Sequence, residues 1–152
     1  MTPATPPAEA PPAVWPPRRA VTAWLFFDWS AQPFFTLITT FVFAPFFASA
    51  LAKDATDGQA LWGYATGFAG LCIALLSPLL GGIADRTGPR KPWIAAFGAL
   101  LVIGSAMLWF AVPGSSSAVA IALTGFVIAT IGAEFATTFN NAMMTRLVPP
   151  ER

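Results

Sequence analysis

Four long apolar stretches, each closed by charged or chain-breaking residues, dominate the sequence. From Ala20 to Ala52 the only intervening acid is Asp28, and Gly58 to Ala84 lies between Asp57 and Asp85 with Pro78 as its only break. Pro92 to Val112 carries no charge and stops at the breaker run PGSSS, Pro113 to Ser117. A fourth stretch begins at Ala118, carries Glu134, and reaches a polar exit around Asn140, Asn141 and Arg146. A helix needs ~20 predominantly apolar residues to cross a bilayer, so the pattern predicts an all-α membrane protein. Its four transmembrane helices are expected over about 20–52, 58–84, 92–112 and 118–142. At ~1.5 Å per residue the first stretch is longer than a ~30 Å hydrocarbon core, so it must tilt, bend or start in the interface. Pro33 and Pro45 favour bending. The first 17 residues hold 7 of the 15 prolines and show no helical period. Residues 1–19 are therefore expected to form a disordered, Pro-rich tail.

Composition agrees with a bilayer as solvent. Of 152 residues, 56% are hydrophobic and 10% charged, against about 25% charged in ordinary soluble domains. Mean hydropathy is +0.66, and so few polar groups could not clothe a water-soluble globule of this size. A net charge of +1 supplies no basic field for nucleic acid. The chain contains no His, and Cys72 is its one cysteine, which excludes His-based triads, zinc sites built on Cys pairs and internal disulfides. With no nucleophile–base pair and no metal cluster visible, neither an enzyme nor a cofactor is expected. Cys72 reads as a small apolar filler.

The basic residues alternate by connection. Two precede the first span, Lys53 follows it, three (Arg86, Arg90, Lys91) lie between the second and third spans, and two follow the fourth. Seven of eight therefore share one side, and the positive-inside rule predicts a cytoplasmic N-terminus in a multi-pass protein of the cell's inner membrane. A cleaved signal peptide would also place Arg18 and Arg19 ahead of an apolar run ending in small residues. This run is about twice the usual h-region of 7–15 residues and contains Asp28 and Gln32.

Acids inside spans are costly in lipid and usually face a protein interior or a water-filled path. From Asp28, α-helical spacing leads through Gln32 and Thr36 to Thr39; around Glu134 it leads from Thr130 to Thr137 or Thr138 and Asn141. The first and fourth spans thus each have one polar stripe, whereas the third offers only Ser105 and should meet lipid or packed neighbours. Two plainer readings stand beside this one: Asp28, about 13 Å of helix from Arg19, lies at the headgroups, and Glu134 is a hydrogen-bonded packing acid. In the cavity reading, Glu134 couples proton movement to transport. Gly63, Gly67, Gly70 and Ala74 form a small-residue ridge on the second span, expected to let another helix approach closely.

The connection GGIADRTGPRK, Gly81 to Lys91, is the most specific segment. Gly81 permits close helix contact, Asp85 accepts hydrogen bonds at a helix end, and Gly88 with Pro89 turns the chain. Arg86, Arg90 and Lys91 belong at the interface. A plain basic loop would need the charges but not this order. Gly81, Asp85, Arg86, Gly88, Arg90 and Lys91 together resemble the loop between helices two and three of the major facilitator superfamily, with Pro89 standing where many members have their first basic residue. Asp28 to Ser49, Asp85 to Trp93 and Phe139 to Arg152 are similar to the UMF1, Atg22-like branch.

The resemblance implies that the chain is the start of a twelve-helix fold of two six-helix halves, with residues 20–152 a partial N-terminal half. It also implies that the first and fourth helices line a central cavity, the helices on which the polar stripes were found. Asp28, Gln32, Thr39, Glu134 and Asn141 are then the cavity candidates for substrate or proton. The Gly81–Lys91 motif is the cytoplasmic gate, latching against a helix of the other half. The implied partners are the lipid bilayer, the missing C-terminal helices and a small-molecule substrate, with amino acids the class the branch points to. Such a fragment would be inactive alone, because a rocking carrier needs two halves around a midplane site. The alternative is a small four-span protein acting as an oligomer or assembly partner, its polar stripes buried in helix contacts.

Overall fold

The computed structural model describes residues 16–144. The tail before Pro16, Arg146 and Arg152 lie outside the described residues. Four helices long and apolar enough to cross a membrane follow one another: α1 (Arg18–Leu51), α2 (Ala55–Thr87), α3 (Lys91–Leu108) and α4 (Ala118–Asn141). There is no strand among the described residues. Large apolar side chains face outward along them, Tyr64 being 76%, Phe41 72% and Val102 67% exposed. Such a surface would aggregate in water and suits acyl chains.

α1 is not uniformly wound. It is α-helical over Arg18–Pro33, π-helical over Phe34–Phe41, breaks at Val42 (φ −118°, ψ −62°), and finishes as a short α-turn, Phe43–Phe46, and a π-turn, Phe47–Leu51. Pro33 and Pro45 account for the irregularity, because each lacks the N–H of a regular ladder and its ring crowds the carbonyl four residues back. The hydroxyls record the change of winding. Thr36 donates to the Gln32 carbonyl four residues back at 3.0 Å, while Thr39 and Thr40 donate five residues back to Phe34 and Phe35 at 3.4 and 3.0 Å. The bend expected of the prolines is thus a change of helix type. The even stripe from Asp28 to Thr39 assumed one α-helical period throughout and loses its register beyond Pro33.

α2 starts at Asp54, whose carboxylate accepts from the Asp57 N–H at 2.9 Å, and runs through Pro78 to Thr87. α3 ends at Leu108, four residues short of the expected Val112. Trp109, Phe110 and Ala111 donate only three residues back, so the chain tightens ahead of Pro113 and reverses at Gly114, where φ is +83°.

α4 is the buried centre, with buried residues recurring from Ala118 to Asn140. Its closest neighbour is α3. A Cβ on Gly104 would lie 2.6 Å from the Gly125 carbonyl oxygen, and one on Gly132 2.7 Å from the Phe97 carbonyl oxygen, so the two backbones touch where side chains are missing. On α2, the small-residue ridge expected to receive a helix meets none among the described residues. Around Gly63, Gly67 and Gly70 an added Cβ meets nothing within 4 Å, and the helix approaches that glycines permit are at Gly104, Gly125 and Gly132, and at Gly58 against Ala48. Aromatic side chains fill the remaining interior. Trp62 of α2 lies 4.0 Å from Phe126 of α4 and 5.3 Å from Phe47 of α1, ring centre to ring centre, and both phenylalanines are fully buried. Trp93 and Phe97 pack on Phe135 and Phe139 at the other end.

Candidate functional site

The end of the bundle bearing Arg18, Arg90 and Asn141, the basic end, is where most of the long-range polar contacts gather. α2 stops because Gly88 adopts φ +79°, a conformation that side chains disfavour, and the chain re-enters α3 within a few residues. This turn places Arg90 against two elements. Its Nη2 donates to Asp85 Oδ1 at 3.1 Å, forming an ion pair, and its Nη1 donates to the Ala142 carbonyl beyond the end of α4. Two residues before Ala142, the Asn140 carbonyl accepts from Trp24 Nε1 of α1 at 2.7 Å. The last carbonyls of a helix have no intrahelical donor and carry its negative dipole end. The Arg90 guanidinium from the α2–α3 turn and the Trp24 indole N–H from α1, the latter joining the Met143 N–H at the Asn140 carbonyl, therefore tie the turn and α1 to the end of α4.

Of the expected gate residues, Asp85 and Arg90 are joined in this way. Arg86 and Lys91 are exposed, and no ion pair involves either among the described residues. Arg90, one residue beyond Pro89, is the basic residue of the turn that reaches Asp85. Gly81 is half-buried and Gly88 serves the turn.

The cavity candidates are spread along α1 and α4 rather than gathered. Asp28, Thr39 and Glu134 are half-buried, while Gln32 and Asn141 are exposed. No side-chain hydrogen bond joins any of the five to another among the described residues. Gln32 lies with Trp29, Thr36 and Leu37 in an open groove of about 350 Å³ on α1, and Thr39 spends its hydroxyl on the Phe34 carbonyl. The polar residue that α4 does bury is Asn140, 4% exposed. Its Nδ2 and the nearby Thr137 Oγ1 have no hydrogen-bond partner among the protein's described groups. The stripe read from Glu134 pointed instead to Asn141. The missed signal was burial phase: Asn140 follows Phe126 and Ala133 at intervals of seven residues, and both are fully buried. A second, more polar groove between α1 and α2 is lined by Thr40, Gln59 and Trp62, none of which the sequence pattern singled out.

These features define a multi-pass helical membrane protein whose connection between the second and third helices carries an ion-paired Asp–Arg turn. The chain belongs to the major facilitator superfamily, whose pattern it matches over residues 2–152. It is 31% identical over 133 residues to an uncharacterized MFS-type transporter, YxiO, of Bacillus subtilis (strain 168). That match covers 86% of this chain and 30% of the relative, so the chain spans about a third of the length of the protein it resembles. No solved structure matches it significantly.

Proposed function

We propose that the chain forms the opening helices of a secondary transporter of the UMF1, Atg22-like branch, which moves a small solute across the cell's inner membrane by alternating access. In this reading the N-terminus is cytoplasmic, α1 and α4 line the substrate path through Asp28, Gln32, Glu134 and Asn141, and the Asp85–Lys91 turn is the cytoplasmic gate. Amino acids are the substrate class to test first. The observation that supports the proposal is the direct joining of α1 to α4 by Trp24 and Asn140 beside the Asp85–Arg90 turn, whose Arg90 also donates to the Ala142 carbonyl beyond α4. Alternating access requires the helices of one half to rock as a body against a second half. A charged residue retained in a span reads by default as functional.

The test is uptake of labelled amino acids into proteoliposomes carrying the complete transporter that contains this chain, compared with its Asp28→Asn and Glu134→Gln variants. Loss of an intramembrane carboxylate that participates in transport should reduce uptake by at least about tenfold, the equivalent of ~1.4 kcal/mol. Unchanged uptake in both variants would remove the two acids from the path.

A further inference from the structure

We propose that Asn140 and Thr137 of α4 are positioning residues for Asp28, donating to its carboxylate in an interhelical contact that is open in this structure and closes when the inner piece of α1 shifts on α4 during transport. Asn140 is 4% exposed, and its Nδ2 and the Thr137 Oγ1 are sealed from solvent with no partner among the described residues. A sealed donor without an acceptor is costly, and no group from outside these helices reaches it without first parting them. The acceptor has to come from the seam between α1 and α4. On α1, the Thr22 and Ser30 hydroxyls turn back onto carbonyls of their own helix, and Gln32 is exposed. Asp28 is half-buried, and no hydrogen bond or ion pair holds its carboxylate among the described residues.

Helix register puts Asp28 at the level of the two donors and on their side of the seam. Trp24 joins α1 to the Asn140 carbonyl, and deeper in the bundle Phe34 shares a buried cluster with Ala129 and Ala133, so the two helices run antiparallel. Asp28 lies about 6 Å deeper than Trp24 along α1, and Thr137 about 4.5 Å deeper than Asn140 along α4. Asp28 is rotated about 40° from Trp24 and Thr137 about 60° from Asn140, and in antiparallel helices both rotations fall on the same side. α1 has the freedom to close the remaining distance. Its α-helical piece ends at Pro33, and π-winding with the break at Val42 separates that piece from Phe47 and Ala48, which pack on Trp62 and Gly58 of α2. Interruptions of this kind recur at functional sites. The role rests on Asp28 lying in the substrate path, as proposed above.

Two measurements on the complete transporter test the contact: uptake of labelled amino acids into proteoliposomes, and disulfide formation between introduced cysteines once the native ones are replaced by serine. Thr137→Val and Asn140→Leu should each lower uptake about tenfold, the worth of one hydrogen bond to a charged group, without lowering stability in detergent. Thr137→Ser should keep uptake. Added to Asp28→Asn, Thr137→Val should lower uptake no further, as expected of residues that act through one another. Asp28→Cys paired with Thr137→Cys should cross-link on oxidation at least about tenfold faster than Asp28→Cys paired with Asn141→Cys, since a disulfide needs Cα atoms within about 7 Å. Additive losses, wild-type uptake in both Thr137→Val and Asn140→Leu, uptake that falls only in step with stability, or equal cross-linking of the two cysteine pairs would each overturn the contact. Wild-type uptake in Asp28→Asn would instead overturn the substrate-path reading. In that case, or if the wild type takes up no amino acid, the cross-linking rates decide the contact alone.

Discussion

Substituting alanine for Gly104 tests whether backbone contact between α3 and α4 holds the bundle together. Association of helices in lipid gains little from the hydrophobic effect and depends on packing, so an added methyl group at a contact should be felt directly. The Cβ would lie 2.6 Å from the Gly125 carbonyl oxygen and 2.8 Å from Ala129 Cα, whereas carbon and carbonyl oxygen normally approach to about 3.3–3.6 Å. The helices must separate by roughly 0.7–1.0 Å at this point, and overpacking of that order costs about 1–3 kcal/mol. Alanine also raises helix propensity by up to ~1 kcal/mol, which would mask part of the loss. Gly98→Ala supplies the control, because it gains the same propensity six residues earlier on the same helix where a Cβ meets nothing within 4 Å. Unfolding in mixed micelles titrated with dodecyl sulfate, followed by circular dichroism, should place Gly104→Ala about 1–3 kcal/mol below Gly98→Ala. Equal stability of the two, within the ~0.5 kcal/mol scatter of neutral substitutions, would refute close packing at Gly104.

Arg90→Gln should destabilise the bundle by about 1–2 kcal/mol in the same titration. Most of that belongs to the lost charged donor at the α4 carbonyl, because the partner Asp85 is 71% exposed and such ion pairs are strongly screened. Arg90→Lys should fall between the two, since an ammonium lacks the fork that serves both partners. Asn140→Leu should leave stability unchanged or raise it by about 1 kcal/mol, because it replaces a buried amide, whose Nδ2 has no partner among the described residues, by an apolar group of similar size. A fall of more than about 1 kcal/mol would show that the amide is satisfied in the folded protein. Asn141→Leu, at an exposed position, should stay within about 0.5 kcal/mol of wild type.

Where the spans lie was legible because lipid imposes length and hydropathy on every crossing segment, and local signals set most ends. Asp54 caps α2, and Gly88 at φ +79° ends it. The overshoot at α3 has a local cause as well. Trp109, Phe110 and Val112 are apolar enough to extend the span by composition, yet the turn demanded by Pro113 and Gly114 unwinds the helix ahead of them. The Asp85–Lys91 motif was also legible, since its glycine, acid and basic residues have distinct local uses. Its longest reach was not: Arg90 finds a backbone carbonyl 52 residues away, and any residue type can present a carbonyl. The small-residue ridges show the same limit, because Gly63, Gly67 and Gly70 look as capable of close contact as Gly104, Gly125 and Gly132. Only the arrangement of helices decides which set is met by a partner.

The polar faces of α1 and α4 were the hardest part to read, for reasons of phase. A stripe drawn at 3.6 residues per turn stays true only while the winding does, and Pro33 and Pro45 divert α1 into π-helical turns that bond five residues back. Beyond Pro33, Thr39 therefore has a place on α1 that α-helical spacing from Asp28 does not give. On α4 the winding is regular, but one residue is about 100° of rotation, so choosing between Asn140 and Asn141 requires knowing which face is buried. Fully buried Phe126 and Ala133 fix that face, and they place Asn140 on it beside the Trp24 contact. Reading outward from half-buried Glu134 follows a different face of α4, the one that carries exposed Asn141. The apolar residues of a span, rather than its charges, are the better ruler for finding which of its polar groups face other helices.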